Sequence, residues 1–254
     1  MQVLIAIGGS KHSQLALHQC ALLAQKQPIS GTILTVIKNN EDEAEAVSLL
    51  QAAADLLKTA VPHIQTKIRR GDASEQIIEE AIANHYDLLI IGKKLHHNLL
   101  TRLLGPTSLR IIAQKPCPIL IAKEQPHPLE QILVCDSIFA KPNLSERFAT
   151  HFPHLLAHAA NVTVLHVMSQ IAAAPGVQGK QLRANAGELI TDHSPEGDGL
   201  TQEMELLGDI DVVAEPIVRH GLVVEEILAE AADGRYDLIV IGAHPHVGWQ
   251  RFLL

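Results

Sequence analysis

Residues 68–92 read IRRGDASEQIIEEAIANHYDLLIIG, and residues 218–242 read VRHGLVVEEILAEAADGRYDLIVIG. At a fixed offset of 150, eleven of these 25 positions are identical: Arg69/Arg219, Gly71/Gly221, Glu75/Glu225, Ile77/Ile227, Glu80/Glu230, Ala81/Ala231, and Tyr86, Asp87, Leu88, Ile91 and Gly92 with their partners. The only two tyrosines of the chain fall at matched positions. One structural unit therefore occurs twice, and the fold has to be read copy by copy. Each version runs from a glycine through a segment of helical period into an unbroken apolar run. Continuous strands such as LLII suit a parallel sheet covered on both faces.

Working outward, the openings of the two copies also match: VLIAI (3–7) with ILVCD (132–136), then TILTV (32–36) with TVLHV (163–167). The offset grows from about 130 to 150, so the second copy carries roughly 19 extra residues between its second and third strands. They fall within 169–209, where Gly, Pro and charged residues break the apolar period. This stretch reads as a flexible loop, mobile over 171–199, with a short helix around Thr201–Leu207. In the first copy, strands are predicted near 3–7, 32–37, 64–69, 87–91 and 118–122, with helices near 13–26, 41–60, 74–84 and 106–114. Asp72 followed by Glu75 is a helix-capping start before the Ile77/Ile78 face. Alternating strand and helix implies right-handed crossovers and an open doubly wound sheet. Pro216 inside the third strand of the second copy demands an edge position, because proline cannot donate to the ladder. KEQPHPLEQ (123–131) is the joint.

Composition narrows the function classes. The chain has 254 residues, 47% hydrophobic, with 28 acidic side chains against 20 Lys and Arg, a formal net charge of −8. An acidic balance with seven aromatics argues against a nucleic-acid partner, which calls for basic patches and stacking platforms. No apolar run long enough to span a membrane and no signal-peptide pattern is present. Cys20, Cys117 and Cys135 are odd in number and widely spaced, as expected of reduced thiols, so a cytoplasmic location is expected.

Together, VLIAIGGS, LHV, RRGDASEQIIEEA, YDLLIIG and KPCPILIA resemble the universal stress protein family in its tandem, two-domain form. The resemblance implies two α/β domains, 1–125 and 126–254. Each would be a doubly wound parallel sheet, Rossmann-like and similar to adenine nucleotide α-hydrolases, with strand order 3-2-1-4-5. The second domain would lack its last helix and strand, and a longer native chain is expected. The resemblance also implies association through the fifth strand, as a homodimer or an intramolecular pseudo-dimer. In nucleotide-binding members ATP sits at the carboxyl ends of the strands. It is held there by an Asp after strand one and by G-x2-G-x9-G-[ST] after strand four, where glycines let backbone N–H groups approach phosphate at a helix N-terminus.

The first copy keeps that spacing and changes its chemistry. Gly8 stands at the Asp position, with Gly9 and Ser10 following, and Val36 closes strand two. The phosphate frame is Gly92, Lys93, Lys94 and Leu95, then Gly105 and Pro106. Leu95 replaces a glycine, and Pro106 deletes both a hydroxyl and an N–H. Thr107 and Ser108 offer partial compensation, and the bland alternative is a helix start with proline in its first turn. In the second copy the candidates are Asp136, Val167, Gly242 and His244, with Pro245 at the second glycine position. ILVCDS is one residue shorter than the usual approach, which threatens to turn Asp136 to the wrong side of the sheet.

Fifteen histidines invite a metal reading. His151, His154 and His158 have suitable helical spacing, but Pro153 interrupts them and no matching carboxylate or Cys accompanies them, so no metal site is expected. Cys117, between two prolines, reads as a small buried residue, and the acidic run 41–47 as a solvated helix start. No nucleophile–base pair, nucleophile elbow or P-loop is visible, and no catalytic residue is assigned. Three readings follow: a non-catalytic regulatory or interaction protein of the stress response with degenerate nucleotide sites; an ATP-binding switch using the second copy; and an adenine-nucleotide-dependent enzyme, which lacks a catalytic cluster.

Overall fold

The computed structural model describes residues 1–9, 12–39, 42–93, 106–123, 126–168, 183–234 and 236–242. The chain divides into two units, the first ending at Pro128 and the second beginning at Leu129. Unit one runs β1 (Gln2–Ile7), α1 (Ser13–Lys26), β2 (Ser30–Ile37), α2 (Glu43–Leu57), β3 (Ile64–Arg70), α3 (Ala73–Ala83), β4 (Leu88–Lys93), α4 (Pro106–Gln114) and β5 (Ile119–Lys123). Its five strands are parallel in the order β3-β2-β1-β4-β5. Val3, Leu4, Ile5, Ile33, Leu34, Leu89 and Ile90 are fully buried, because helices cover both faces of the sheet. Asp72 caps α3 by accepting from the Glu75 N–H at 3.1 Å, as its spacing predicts.

Unit two runs β6 (Gln131–Cys135), α5 (Leu144–His151), α6 (Pro153–Ala157), β7 (Asn161–Met168), α7 (Ala186–Thr191), α8 (Pro195–Gly208), β8 (Ala214–His220), α9 (Val223–Asp233) and β9 (Leu238–Ile241). Its sheet has four strands among the described residues, in the order β8-β7-β6-β9. Pro216 lies on β8, the edge strand, opposite Val164 of its single neighbour. The missing ladder donor therefore faces no partner strand.

The positions that reveal the repeat hold each unit together. In unit one the buried Glu80 carboxylate accepts from Lys67, Arg69, Asn84 and Tyr86. In unit two Glu230 accepts from Arg219 at 2.6 Å and from Tyr236 at 2.7 Å. These contacts tie the helix after the third strand to that edge strand. Asp87 and Asp237 each cap the start of the first strand, accepting from the N–H groups of Gln2 and of Glu130 and Gln131. Gly71 and Gly221 turn the chain at φ 133° and 155°, where a side chain would be strained.

One expectation fails. From Asn185 onward the stretch predicted as a flexible loop is helical with buried faces, Leu189 and Leu200 lying within 1% of full burial; the short helix expected around Thr201–Leu207 is present within α8, and residues 169–182 lie outside the described residues. Asn185 and Glu188 form a reciprocal capping box, Ser194 caps α8, and Pro195 stands in its first turn. The misleading glycine is Gly197, which is needed for packing: a Cβ there would run into the Leu189 carbonyl.

Candidate functional site

Among the described residues, a Cβ at Gly8 or Gly9, at the carboxyl end of β1, would meet nothing within 4 Å. The Gly8 N–H donates to Ser13 Oγ at 2.9 Å, and the Ser13 hydroxyl donates back to the Gly8 carbonyl at 2.8 Å, fixing this turn against the start of α1. Gly92 is confined: a Cβ there would collide with the His12 carbonyl, so its glycine serves the packing of α1 on β4. Val36 is half-buried and paired in register with Arg69, while Lys93 lies opposite Lys123 at the ends of β4 and β5. Thr107 is exposed and Ser108 half-buried in the first turn of α4. Ser10, Lys94, Leu95 and Gly105 lie outside the described residues. The cleft thus offers an open floor and backbone, but no acid at the end of β1.

The register explains the different fate of unit two. Val3 pairs with Leu88 and Ile132 with Leu238, the repeat-equivalent residues, so Ile132 stands where Val3 stands. Counting forward, Asp136 occupies the place of the buried Ile7, and Ile138 that of Gly9. Asp136 accordingly points inward and is 7% exposed. Its Oδ1 accepts from the Ile138 N–H at 3.2 Å, and its Oδ2 from the N–H groups of Leu144 at 2.5 Å and Ser145 at 3.1 Å, the orphan donors opening α5. Val167 is half-buried, paired with Arg219 just as Val36 is with Arg69. Gly242 is not forced by packing, since a Cβ would make ordinary contacts with Arg147 and Leu144. His244 lies outside the described residues.

Residues the sequence reading passes over complete this site. Glu203 of α8 is fully buried; one of its oxygens accepts from the Ser145 hydroxyl, while Oε2 has no hydrogen-bond partner. Burial pushes its carboxyl up to about 8, and the neighbouring Asp136 carboxylate acts in the same direction. His166 is buried beside the Asp136 carbonyl, edge-on to Phe139, and burial holds its imidazole below the usual value. The available signal was the spacing Leu200–Glu203–Leu207, an acid on an apolar helical stripe.

Two further candidates resolve simply. His151 and His158 each hydrogen-bond the carbonyl four residues back, at 2.8 and 2.7 Å. Burial pushes the thiols of Cys20 and Cys135 up to about 12 and that of Cys117 to about 11, so none is a thiolate near neutrality.

Two tandem doubly wound parallel sheets, ordered β3-β2-β1-β4-β5 and β8-β7-β6-β9, define a class. The family model for the universal stress protein family matches residues 1–123 and 132–254, and the chain belongs to that family. A universal stress protein of Synechocystis sp., Slr1230, is 28% identical over 119 residues, which are 47% of this chain and 41% of that protein. One from Thermus aquaticus is 24% identical over 139 residues, 48% of this chain and 97% of the relative. A crystal structure of a universal stress protein from Archaeoglobus fulgidus superposes with a TM-score of 0.72 at 16% identity, covering 94% of this chain and 85% of that one. A Pseudomonas aeruginosa protein described as functionally unknown superposes with a TM-score of 0.70 at 18% identity, covering 98% and 83%. The fold is shared along almost the whole chain. No helix among the described residues is long and apolar enough to cross a membrane.

Proposed function

We propose that the chain is a non-catalytic regulatory or interaction protein of the stress response in which both nucleotide sites are degenerate. One observation carries this reading: neither first strand ends in a free carboxylate. Unit one has Gly8 there, and unit two has an Asp136 whose oxygens are taken by three backbone amides. Asp136 is buried, with both oxygens already engaged by amides, so it presents no open carboxylate edge to a nucleoside hydroxyl. The raised thiols support the absence of covalent catalysis. The protein then acts in the cytoplasm through protein contacts, as a homodimer or pseudo-dimer of its two domains. The second reading, an ATP-binding switch, is expected in unit two from the sequence; the room above Gly8 and Gly9 supports it better in unit one.

The test is recovery of nucleotide from the purified intact chain, followed by ATP titration. The expected result is no stoichiometric nucleotide and a Kd no tighter than about 1 mM, because each lost charge-assisted contact removes about 1–3 kcal/mol. One equivalent of ATP bound at micromolar Kd overturns the reading and installs the switch.

A further inference from the structure

The third strand of each unit lies at the edge of its sheet, and only one of the two edges is guarded. The Gly31 N–H donates to the His63 carbonyl and the Gly71 N–H to the Ile37 carbonyl, both at 3.0 Å, so the odd-numbered residues of β3 turn their backbone groups toward β2. Those of Ile64, Thr66, Ile68 and Arg70 point away from the sheet, and among the described residues no strand pairs with them. All of α2, β3 and α3 is described. In β8 the residue 150 positions beyond Thr66 is Pro216, which has no N–H to offer a neighbour. Charge does not blunt the β3 edge in its place. Lys67 and Arg69 are held by the buried Glu80 at 2.7 and 3.1 Å, and Arg70 by Glu43 at 2.7 Å.

Beside this edge, α2 leaves an apolar groove of about 280 Å³ lined by Val47, Leu50, Gln51, Thr66 and Ile68. Val47 is 55% exposed within it. Glu43, Val47, Gln51 and Asp55 recur at four-residue spacing on one face of α2. Gln51 lines the groove and donates to Asp55, and Glu43 accepts from Arg70 of β3, so this stripe faces the edge. It begins with an acid and ends at Lys58, which pairs with Asp55. Because α2 packs on both β2 and β3, its axis lies over the gap between them. A two-fold axis that sets another strand beside β3 at about 4.8 Å then brings a second α2 to about 10 Å, an ordinary spacing for packed helices.

We propose that the β3 edge of unit one is a self-association surface, occupied by β3 of a second copy of this chain, antiparallel and centred on Thr66. In that register Thr66 meets the partner's Thr66, and Ile64 meets the partner's Ile68 on either side, each as a hydrogen-bonded pair. Centring one residue later would set Lys67 against the partner's Lys67. The two grooves adjoin across the axis, and the Glu43 end of each α2 comes opposite the Lys58 end of the other, so charge favours the same alignment. The contact is isologous and closes at two copies. It is distinct from the fifth-strand association implied by the family, and it deepens the homodimer reading above by naming its face.

The test is sedimentation velocity of the intact chain between about 1 and 100 µM. The native protein should be a dimer at the upper end. Thr66→Pro places in unit one the residue that unit two carries at the matched position. It removes both hydrogen bonds of the central pair and should raise the dimer Kd at least about 30-fold. A native chain that stays monomeric throughout overturns the surface and the homodimer reading together. A dimer that Thr66→Pro leaves intact keeps that reading and overturns this face. If Thr66→Pro does not fold, oxidation of Thr66→Cys decides. Paired Thr66 positions lie about 5.5 Å apart at Cα, within disulfide reach, whereas in the same register the two Gln65 positions lie beyond about 7 Å. Linked dimer should form from Thr66→Cys and not from Gln65→Cys; no link, or equal linking in both, overturns the proposal.

Discussion

Glu80→Gln tests the device that organises unit one. The Glu80 carboxylate is almost fully buried, and every neighbour that meets it is a donor: Lys67 Nζ at 2.7 Å, Arg69 at 3.1 Å, Asn84 Nδ2 at 3.0 Å and Tyr86 Oη at 3.2 Å. Glutamine keeps the shape but removes the charge and puts an NH2 group among donors, of which the Tyr86 hydroxyl alone can turn to accept. Breaking a buried pair from one side destabilises by about 3–5 kcal/mol. Lys67 and Arg69 are 45% and 25% exposed, so water takes up part of that loss. We expect about 2–4 kcal/mol, roughly a 30- to 900-fold rise in the opening constant. Two units make global unfolding a poor readout, so the assay is hydrogen exchange resolved by segment. The protected amides of β1, β2 and β4 should lose that factor, while those of β6 and β7 keep theirs. A change under about tenfold in unit one, or an equal loss in both units, refutes the reasoning.

Other outcomes follow from the same contacts. Gly92→Ala should destabilise unit one by about 2 kcal/mol or more through overlap with the His12 carbonyl, while Gly8→Ala in open space stays within about 0.5 kcal/mol; exchange of the β1, β2 and β4 amides compares them. Tyr236→Phe removes one charge-assisted bond to Glu230 and should cost about 1–3 kcal/mol in unit two, read by segment-resolved exchange. Gly8→Asp restores an acid where there is room for one, and titration should show ATP binding at least about tenfold tighter than in the native chain. In unit two His166 and Glu203 act on the pH profile in opposite senses below about 6.5. His166 has a depressed folded pKa, so its contribution is complete above about 6.5 and is lost as pH falls through the lower folded value. Glu203 has a raised one, so stability declines as pH rises from 4.5 to about 8 and then levels. His166→Gln should therefore extend the decline with rising pH down to about 4.5, and Glu203→Gln should leave only the His166 loss below about 6.5.

Most of the fold was legible because its signals are local. Unbroken apolar runs fix the strands, Asp72 and Glu75 mark a helix start, and Pro216 places β8 at an edge before any neighbour is known. The helices between β7 and β8 escaped for a physical reason. Gly197 and Gly199 read as helix breakers, yet they are small because Leu189 and Ile138 press against them. That requirement comes from tertiary packing, which a propensity cannot express. Asp136 shows the same limit at the site. Its missing residue of approach was visible, but its three amide partners lie up to nine positions downstream, across a turn whose path only the folded chain defines.

The pattern of identity between the copies also bears on function. Arg69, Glu80, Tyr86 and Asp87 recur as Arg219, Glu230, Tyr236 and Asp237, and each pair makes the same kind of internal bond in its own unit. These residues bind a helix to an edge strand and seal the start of the first strand; none of them lines the mouth. At the mouth the copies part company: Ile7 against Asp136, Gly9 against Ile138, and an obligatory Gly92 against an unconstrained Gly242. The shared residues therefore account for two like folds without implying two like sites. A ligand bound in unit one would say nothing about unit two, where the same space is filled by Ile138 and the helices that hold it.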